Sequence, residues 1–375
     1  MRTKISAQAK KKIIIGILSF VVLCIAGLWT GMLIAYNANF NRRFATYEPY
    51  RKYPSDYEAL SRTHYNFTSN KGQTLTGYLY SSTKTGTADH PEKAKAILVF
   101  VHGFGIGGHS SHMDIVNFFA QKNFLVFAYD ATGNDESEGL GKKNAVGGMP
   151  QGVIDLDYAI SFIEESGNFP KLPLVLCGHS WGGYSVVNVL NYHPEVKAVA
   201  EIAGFESSGR MFVAGGKKIA GPAIYTFMPF FYVHEFIKYG KYNFSTGIKG
   251  INSSDAKVLI IHGMQDKTVP VAYGYFAYYK AFKDNPRVTF MPYYDMDHTD
   301  ILRSKEALAY IDKLDKHYDR WCRTLNYNYR AKENKERFEK EKIKFLKKNM
   351  DHKCWSHSQN NELLTKIADF YDASL

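Results

Sequence analysis

The joint that most constrains this chain lies at Gly178-His179-Ser180-Trp181-Gly182, where the apolar run Leu172 to Cys177 turns directly into a helical pattern, Tyr184 to Asn191. A strand that gives way to a helix in so few residues brings the two backbones very close, and glycine at 178 and 182 leaves room for that approach. The turn also forces strained dihedrals on Ser180 and lifts its hydroxyl above the sheet. A strand apolar on both faces belongs to a sheet covered by helices on both sides.

The rest of the chain repeats that order. Thr74 to Tyr80 reads as an early strand after the turn signal Asn70-Lys71-Gly72. Ala96 to Val101, Phe124 to Tyr129, Val196 to Ile202, Val258 to Ile261 and Val288 to Met291 are further apolar runs, and helical patterns lie between most of them. The expected class is α/β, a mostly parallel sheet flanked by helices. With 375 residues, 45% of them hydrophobic and 22% charged, the chain can bury one large core.

A serine hydroxyl is a poor nucleophile at neutral pH, so a base must take its proton and a carboxylate should hold that base in one tautomer. His298, in Asp295-Met296-Asp297-His298, follows the last strand, where the base is expected. Asp266, in His262-Gly263-Met264-Gln265-Asp266, follows the strand before it. Ser180, Asp266, His298 is thus the expected catalytic set, in the chain order of strand-helix hydrolases. His102, His179 and His262 also sit at strand ends and read as hydrogen-bonded structural residues. Asp295, Asp297 and Asp300 compete with Asp266 by proximity in sequence, but adjacency does not give the side-chain geometry a triad needs.

The tetrahedral intermediate needs donors for its oxyanion, and two backbone N–H groups qualify: that of Trp181 and that of Phe104 in Val101-His102-Gly103-Phe104-Gly105. The glycines at 103, 105, 107 and 108 lack the Gly-Lys-Ser/Thr of a phosphate loop, which argues against a nucleotide site. Cys24, Cys177, Cys322 and Cys354 are too scattered for a metal cluster or a disulfide framework, although Cys322 and Cys354 could pair in an oxidising space. No metal and no organic cofactor is expected.

These motifs resemble the α/β-hydrolase superfamily, in particular its monoacylglycerol lipase and serine aminopeptidase-like branch, over residues 62–316. Leu125-Val126-Phe127-Ala128-Tyr129-Asp130, then Gly133 and Ser137-Glu138-Gly139, is similar to a family segment after the fourth strand. There the branch usually has Gly-His-Gly-x-Ser, whereas this chain has Gly133-Asn134-Asp135-Glu136-Ser137, and Trp181 stands where methionine is common. The resemblance implies a hydrolase domain over 62–328 with an inserted cap at 205–252. The cap is strongly aromatic, and Phe212, Phe227, Met228 and Phe231 are its candidate substrate-lining residues.

Ahead of that domain, Ile13 to Tyr36 is twenty-four residues without a charge, about 36 Å of helix and enough to cross a bilayer. It reads as an uncleaved signal anchor, with 1–12 a basic cytoplasmic N-terminus, 37–61 a juxtamembrane linker and the catalytic domain outside the cytoplasm. The net charge of +11 is concentrated at the two ends. Five basic residues precede the apolar run, and Arg330 to Lys353 holds ten basic against five acidic residues, so the body is nearly neutral and shows no nucleic-acid groove. Leu308, Ile311, Leu314, Tyr318, Trp321 and Leu325 make one apolar helical face that should close the domain, and 329–375 reads as a charged, helical tail.

The expected activity is a serine hydrolase acting on a carboxylic ester, an acylglycerol or another lipid ester, through an acyl-enzyme on Ser180. An amidase, aminopeptidase or acyltransferase uses the same machinery. A non-catalytic domain that binds a lipid or peptide at the membrane surface is the alternative of another class.

Overall fold

The computed structural model describes residues 6–375, so Arg2 and Lys4 of the basic N-terminus lie outside the described residues. Eight strands form one sheet: β1 (Leu60–Thr68), β2 (Thr74–Ser82), β3 (Ile97–Val101), β4 (Leu125–Tyr129), β5 (Leu174–His179), β6 (Ala198–Ile202), β7 (Lys257–Gly263) and β8 (Val288–Tyr293). Their order is β1-β2-β4-β3-β5-β6-β7-β8, and β2 pairs antiparallel with both neighbours while β4 to β8 pair in parallel. The strand β1 has no counterpart in the sequence reading, because Arg62, Thr63, His64 and Asn66 break any apolar run on this edge strand.

Among the described residues twelve α-helices accompany the sheet. In chain order they are α1 (Ala7–Phe40), α2 (Met113–Gln121), α3 (Met149–Glu165), α4 (Trp181–Asn188), α5 (Ser208–Ala220) and α6 (Met228–Tyr239). Then follow α7 (Gly247–Ser253), α8 (Tyr275–Phe282), α9 (Lys305–Arg323), α10 (Lys335–Asn349), α11 (His352–Ser356) and α12 (Asn361–Asp372). One face of the sheet packs against α3, α4 and α8 through Ile160, Tyr184 and Tyr278. The other packs against α2 and α12 through Phe119, Leu364 and Tyr371. The fold is that of the α/β hydrolases, and α5 to α7 lie between β6 and β7, where the cap is expected.

Sheet order reverses between β3 and β5: the chain steps from β3 to β4 on one side, then returns to place β5 on the other. Open α/β sheets bind their ligands in the crevice at such a switch point, beyond the carboxyl ends of the strands. Val101 pairs with Gly178, so those two ends are level, and the loops that follow, 102–105 and 179–181, face each other.

Two expectations at the C-terminus need correction. The apolar face of α9 does not close the domain on the sheet; its Trp321 stacks on Phe338 and Phe345 of α10, with ring centroids 5.9 and 4.7 Å apart. Nor is the end of the chain a charged tail. Leu363, Leu364, Ile367, Ala368 and Tyr371 of α12 are buried in the core, and the Tyr371 hydroxyl donates to the carbonyl of Leu176 in β5 at 2.7 Å. Their helical spacing is an apolar stripe that the preceding charged run obscures. All four cysteines are free, with Cys322 buried and Cys354 exposed.

The segment 41–59 is bound to the domain throughout. The Phe44 N–H donates to the Gly133 carbonyl at 3.0 Å, Thr46 donates to the Asp135 carboxylate through N–H (2.6 Å) and hydroxyl (2.7 Å), and Arg51 pairs with Asp135 at 3.3 Å. Asp135 is one of the residues by which this loop departs from the branch pattern, and docking of the N-terminal segment is what it does. If α12 is core, Ile367→Ala should lower stability by about 2–5 kcal/mol, read as the midpoint of a urea melt by circular dichroism. A surface tail would show almost no change.

Candidate active site

The loop between β5 and α4 is built as the glycines require. A Cβ on Gly182 would collide with the Val101 carbonyl, and one on Gly178 with the Gly182 carbonyl. Ser180 sits between them at φ 59°, ψ −114°, a conformation that a residue with a side chain adopts only under constraint. Its N–H donates to the Ile202 carbonyl at 2.8 Å and its carbonyl accepts from the Tyr184 N–H at 3.0 Å, which together hold the turn. The residue is half-buried, so its hydroxyl stays within reach of a ligand.

His298 follows β8 and is buried. Its Nδ1 lies 2.6 Å from Asp266 Oδ2. The other oxygen, Oδ1, accepts the N–H groups of Thr268 and Val269, each at 2.8 Å, and His262 Nε2 approaches Oδ2 at 3.3 Å. Burial alone would raise the Asp266 pKa; the hydrogen bonds from His262 and His298 outweigh it and hold the carboxyl well below its usual range. An ionised carboxylate only accepts, so His298 carries its proton on Nδ1 and presents the lone pair of Nε2, as a base must. His262 is a partner of the acid that the sequence reading set aside as merely structural; its position four residues before Asp266 was the available signal.

The rival residues have other work. Asp297 Oδ1 accepts the N–H of His298 (2.7 Å) and of Lys267 (3.0 Å), which shapes the turn. His102 donates from Nδ1 to the Gly103 carbonyl (2.8 Å) and accepts the Ala131 N–H on Nε2 (3.0 Å). His179, whose pKa burial and the nearby His298 push down to about 3, donates from Nε2 to the His298 carbonyl at 3.1 Å. That bond ties the residue before Ser180 to the His298 backbone.

Gly103 lies against Ser180, since a Cβ there would sit 3.4 Å from the serine Cβ. Phe104 follows, its ring edge-on to Trp181 at 5.6 Å. Among the described residues neither the Phe104 nor the Trp181 N–H donates to a protein acceptor, and Trp181 opens α4, where helix N–H groups are free by construction. The indole N–H of Trp181 donates to the Met149 carbonyl at 2.8 Å.

The cap residues have a partner that was not expected. Phe231 is buried, stacked on Phe212 at 4.2 Å and packed on Tyr36 of α1 at 6.2 Å. Phe227 covers Gly31, and Met228 joins the same cluster. Phe212, Phe227, Met228 and Phe231 therefore hold the end of α1. Phe40 and Phe44 continue this aromatic seam to Phe104, at 5.7 and 4.9 Å.

A family model described as Hydrolase_4, serine aminopeptidase, S33, matches residues 92–245, which span β3 to the end of α6. Over those residues the chain is similar to the α/β-hydrolase superfamily. Among curated proteins, the chain is 26% identical over 305 residues to the uncharacterized protein YfhR of Salmonella typhimurium, covering 80% of this chain and 91% of that one. It is 23% identical over 254 residues to YfhR of Escherichia coli K12, covering 66% and 77%. Similar solved structures include the Pyrococcus furiosus esterase Pf2001 (TM-score 0.49, 16% identity, 75% of this chain and 96% of that one). The Porphyromonas gingivalis dipeptidyl peptidase 4 is another (TM-score 0.49, 17% identity, 70% and 36%).

The geometry of Ser180 and Asp266 leads to two expected outcomes. Replacing Ser180 with glycine removes a side chain from a strained left-handed backbone, so Ser180→Gly should raise stability by about 1 kcal/mol, measured by thermal melting. The depressed Asp266 pKa contributes stability that is present above the ordinary carboxylate pKa near 4 and lost as pH falls further. The stability difference between wild type and Asp266→Asn should therefore shrink in urea melts taken below pH 4.

Proposed function

We propose that the protein is a membrane-anchored serine hydrolase that cleaves carboxylic esters of lipids through an acyl-enzyme on Ser180. The observation that carries the reading is the 2.6 Å contact between His298 Nδ1 and Asp266 Oδ2, with the His298 carbonyl bound by His179, the neighbour of a serine held at positive φ. His298 Nε2 takes the Ser180 proton as the hydroxyl oxygen attacks the ester carbonyl, and the N–H groups of Phe104 and Trp181 receive the oxyanion. The same histidine returns the proton to the departing alcohol, and a water activated in the same way releases the acid. The match to a serine aminopeptidase model supports an amide-cleaving activity as the second reading.

Retention of α1 as an anchor is supported by its packing. Met32, Tyr36 and Phe40 are buried against the cap, and the Tyr36 hydroxyl bonds to Glu235 at 3.4 Å. Cleavage after the apolar run would strip that surface bare. Cap contacts begin at Trp29, whose ring meets Phe230 at 6.0 Å. Only Ile13 to Leu28 remains free, sixteen residues or about 24 Å of helix against a hydrocarbon core of about 30 Å. The cap must then rest in the membrane interface, with the exposed Ile219, Val233, Phe236 and Ile237 turned toward lipid, which favours a lipid ester as substrate. The basic residues ahead of Ile13 favour a cytoplasmic N-terminus and a catalytic domain on the other side.

Ser180→Ala and His298→Ala should each lower kcat on p-nitrophenyl esters by on the order of 10⁴ or more, with unchanged circular dichroism. Folded variants of undiminished activity would contradict the assignment. Ile237→Glu should slow hydrolysis of esters presented in vesicles and leave that of soluble p-nitrophenyl acetate unchanged.

A further inference from the structure

A cavity of about 390 Å³ adjoins the candidate catalytic residues, and neither the hydrolysis scheme nor the family match accounts for its chemistry. Three of its walls are immediate chain neighbours of the catalytic groups: Gly105 follows Phe104, His179 precedes Ser180 and Thr299 follows His298. Consecutive Cα atoms are about 3.8 Å apart, so the cavity runs one residue away from the candidate catalytic groups along three segments, while those groups themselves do not line it. The facing walls come from the segment after α1, including Lys52, and from Trp355 and Ser358 near the C-terminus. Both lie outside residues 92–245, so the chamber forms between the matched segment and the parts of the chain that flank it.

Its charges do not balance. Lys52 is buried with its ammonium 2.5 Å from Asp114 Oδ2, and that carboxylate also accepts the Ser358 hydroxyl (3.2 Å) and, on Oδ1, the Ile115 N–H (3.2 Å). This pair is neutral and satisfied. Arg303 is different. It is partly buried in the wall, and among the described residues its guanidinium makes no hydrogen bond and no ion pair; it lies over the Trp355 ring, 5.5 Å away. Asp300, Asp114 and Asp315 act on it only through their fields. Deeper in, His112 Nδ1 and His179 Nδ1 are buried without a partner. An uncompensated guanidinium in such a space is costly, and its planar fork fits a carboxylate or a phosphate.

We propose that this chamber binds an anionic oxyacid group, a carboxylate or a phosphate, on the substrate, and that Arg303 is its principal ligand. The preferred ester would then carry a negative charge on its acyl or alcohol portion, within a few bonds of the scissile carbonyl. As a statement about substrate it rests on the serine-hydrolase reading; as a statement about binding it does not.

The test uses the full-length Ser180→Ala variant in detergent micelles, titrated with inorganic phosphate, glycerol 3-phosphate and succinate, with glycerol as the neutral control. Trp355 lines the cavity and reports occupancy by its fluorescence. A saturable change with an anion and none with glycerol is expected, and it should vanish in Trp355→Phe. Saturation by the phosphates alone would assign a phosphoryl group, and by succinate alone a carboxylate. Arg303→Gln should weaken binding about tenfold or more, the size of one charge-assisted hydrogen bond, while Arg303→Lys keeps part of it. Absence of saturable anion binding, or equal binding by a folded Arg303→Gln, would overturn the proposal. Fluorophosphonate labelling of the wild type separates the two claims. A labelled Ser180 without anion binding overturns the chamber alone, and anion binding without labelling overturns the hydrolase reading and leaves the chamber.

Discussion

Everything at the candidate site depends on how closely the carboxyl ends of β3 and β5 approach each other. Val101 and Gly178 pair in register, and the Val101 carbonyl occupies the space that a side chain at Gly182 would need. From that contact the rest follows in order. The loop after β3 has to pass over the turn after β5, which brings Gly103 against Ser180 and the Phe104 ring onto Trp181. The sheet then continues through β6 and β7 to β8, and the loops that leave β7 and β8 deliver Asp266 and His298 to the same edge.

A second feature is the use of the chain ends. The aromatic seam of Tyr36, Phe40 and Phe44 runs from the apolar helix α1 to Phe104, so the backbone proposed to receive the oxyanion is braced by residues at and just beyond the end of that helix. Asp135 fixes the next stretch through Thr46 and Arg51. From the opposite end, Trp355 stacks on Tyr50 at 4.6 Å and donates its indole N–H to the Tyr50 carbonyl. The segment after α1 and the stretch around Trp355 thus meet beside the loops that follow β3 and β5, and the cavity that Arg303 lines lies between them.

Much of this was legible in the sequence, for physical reasons that also mark where legibility stops. Buried parallel strands are continuous apolar runs, so β3 to β8 stand out, whereas the edge strand β1 carries Arg62 and His64 toward solvent and does not. The contact of Asp266 with His298 was readable because each follows a strand of known order. His262 was not, because its role depends on a side chain turning back toward Asp266. Helix α12 was hidden behind the charged α10. The cap aromatics were visible by composition, but their docking on Tyr36 and Gly31 depends on three-dimensional proximity across about two hundred residues, which no local pattern encodes.

The central claim is that the strained turn, the Asp266 to His298 contact and the two free N–H groups make Ser180 an activated nucleophile. Treating the full-length protein with a tagged fluorophosphonate, then locating the adduct by peptide mass spectrometry, tests it most directly. The account predicts one adduct, on Ser180, that is lost in His298→Ala. A folded, monodisperse protein that stays unlabelled, or that is labelled at another serine, would contradict it.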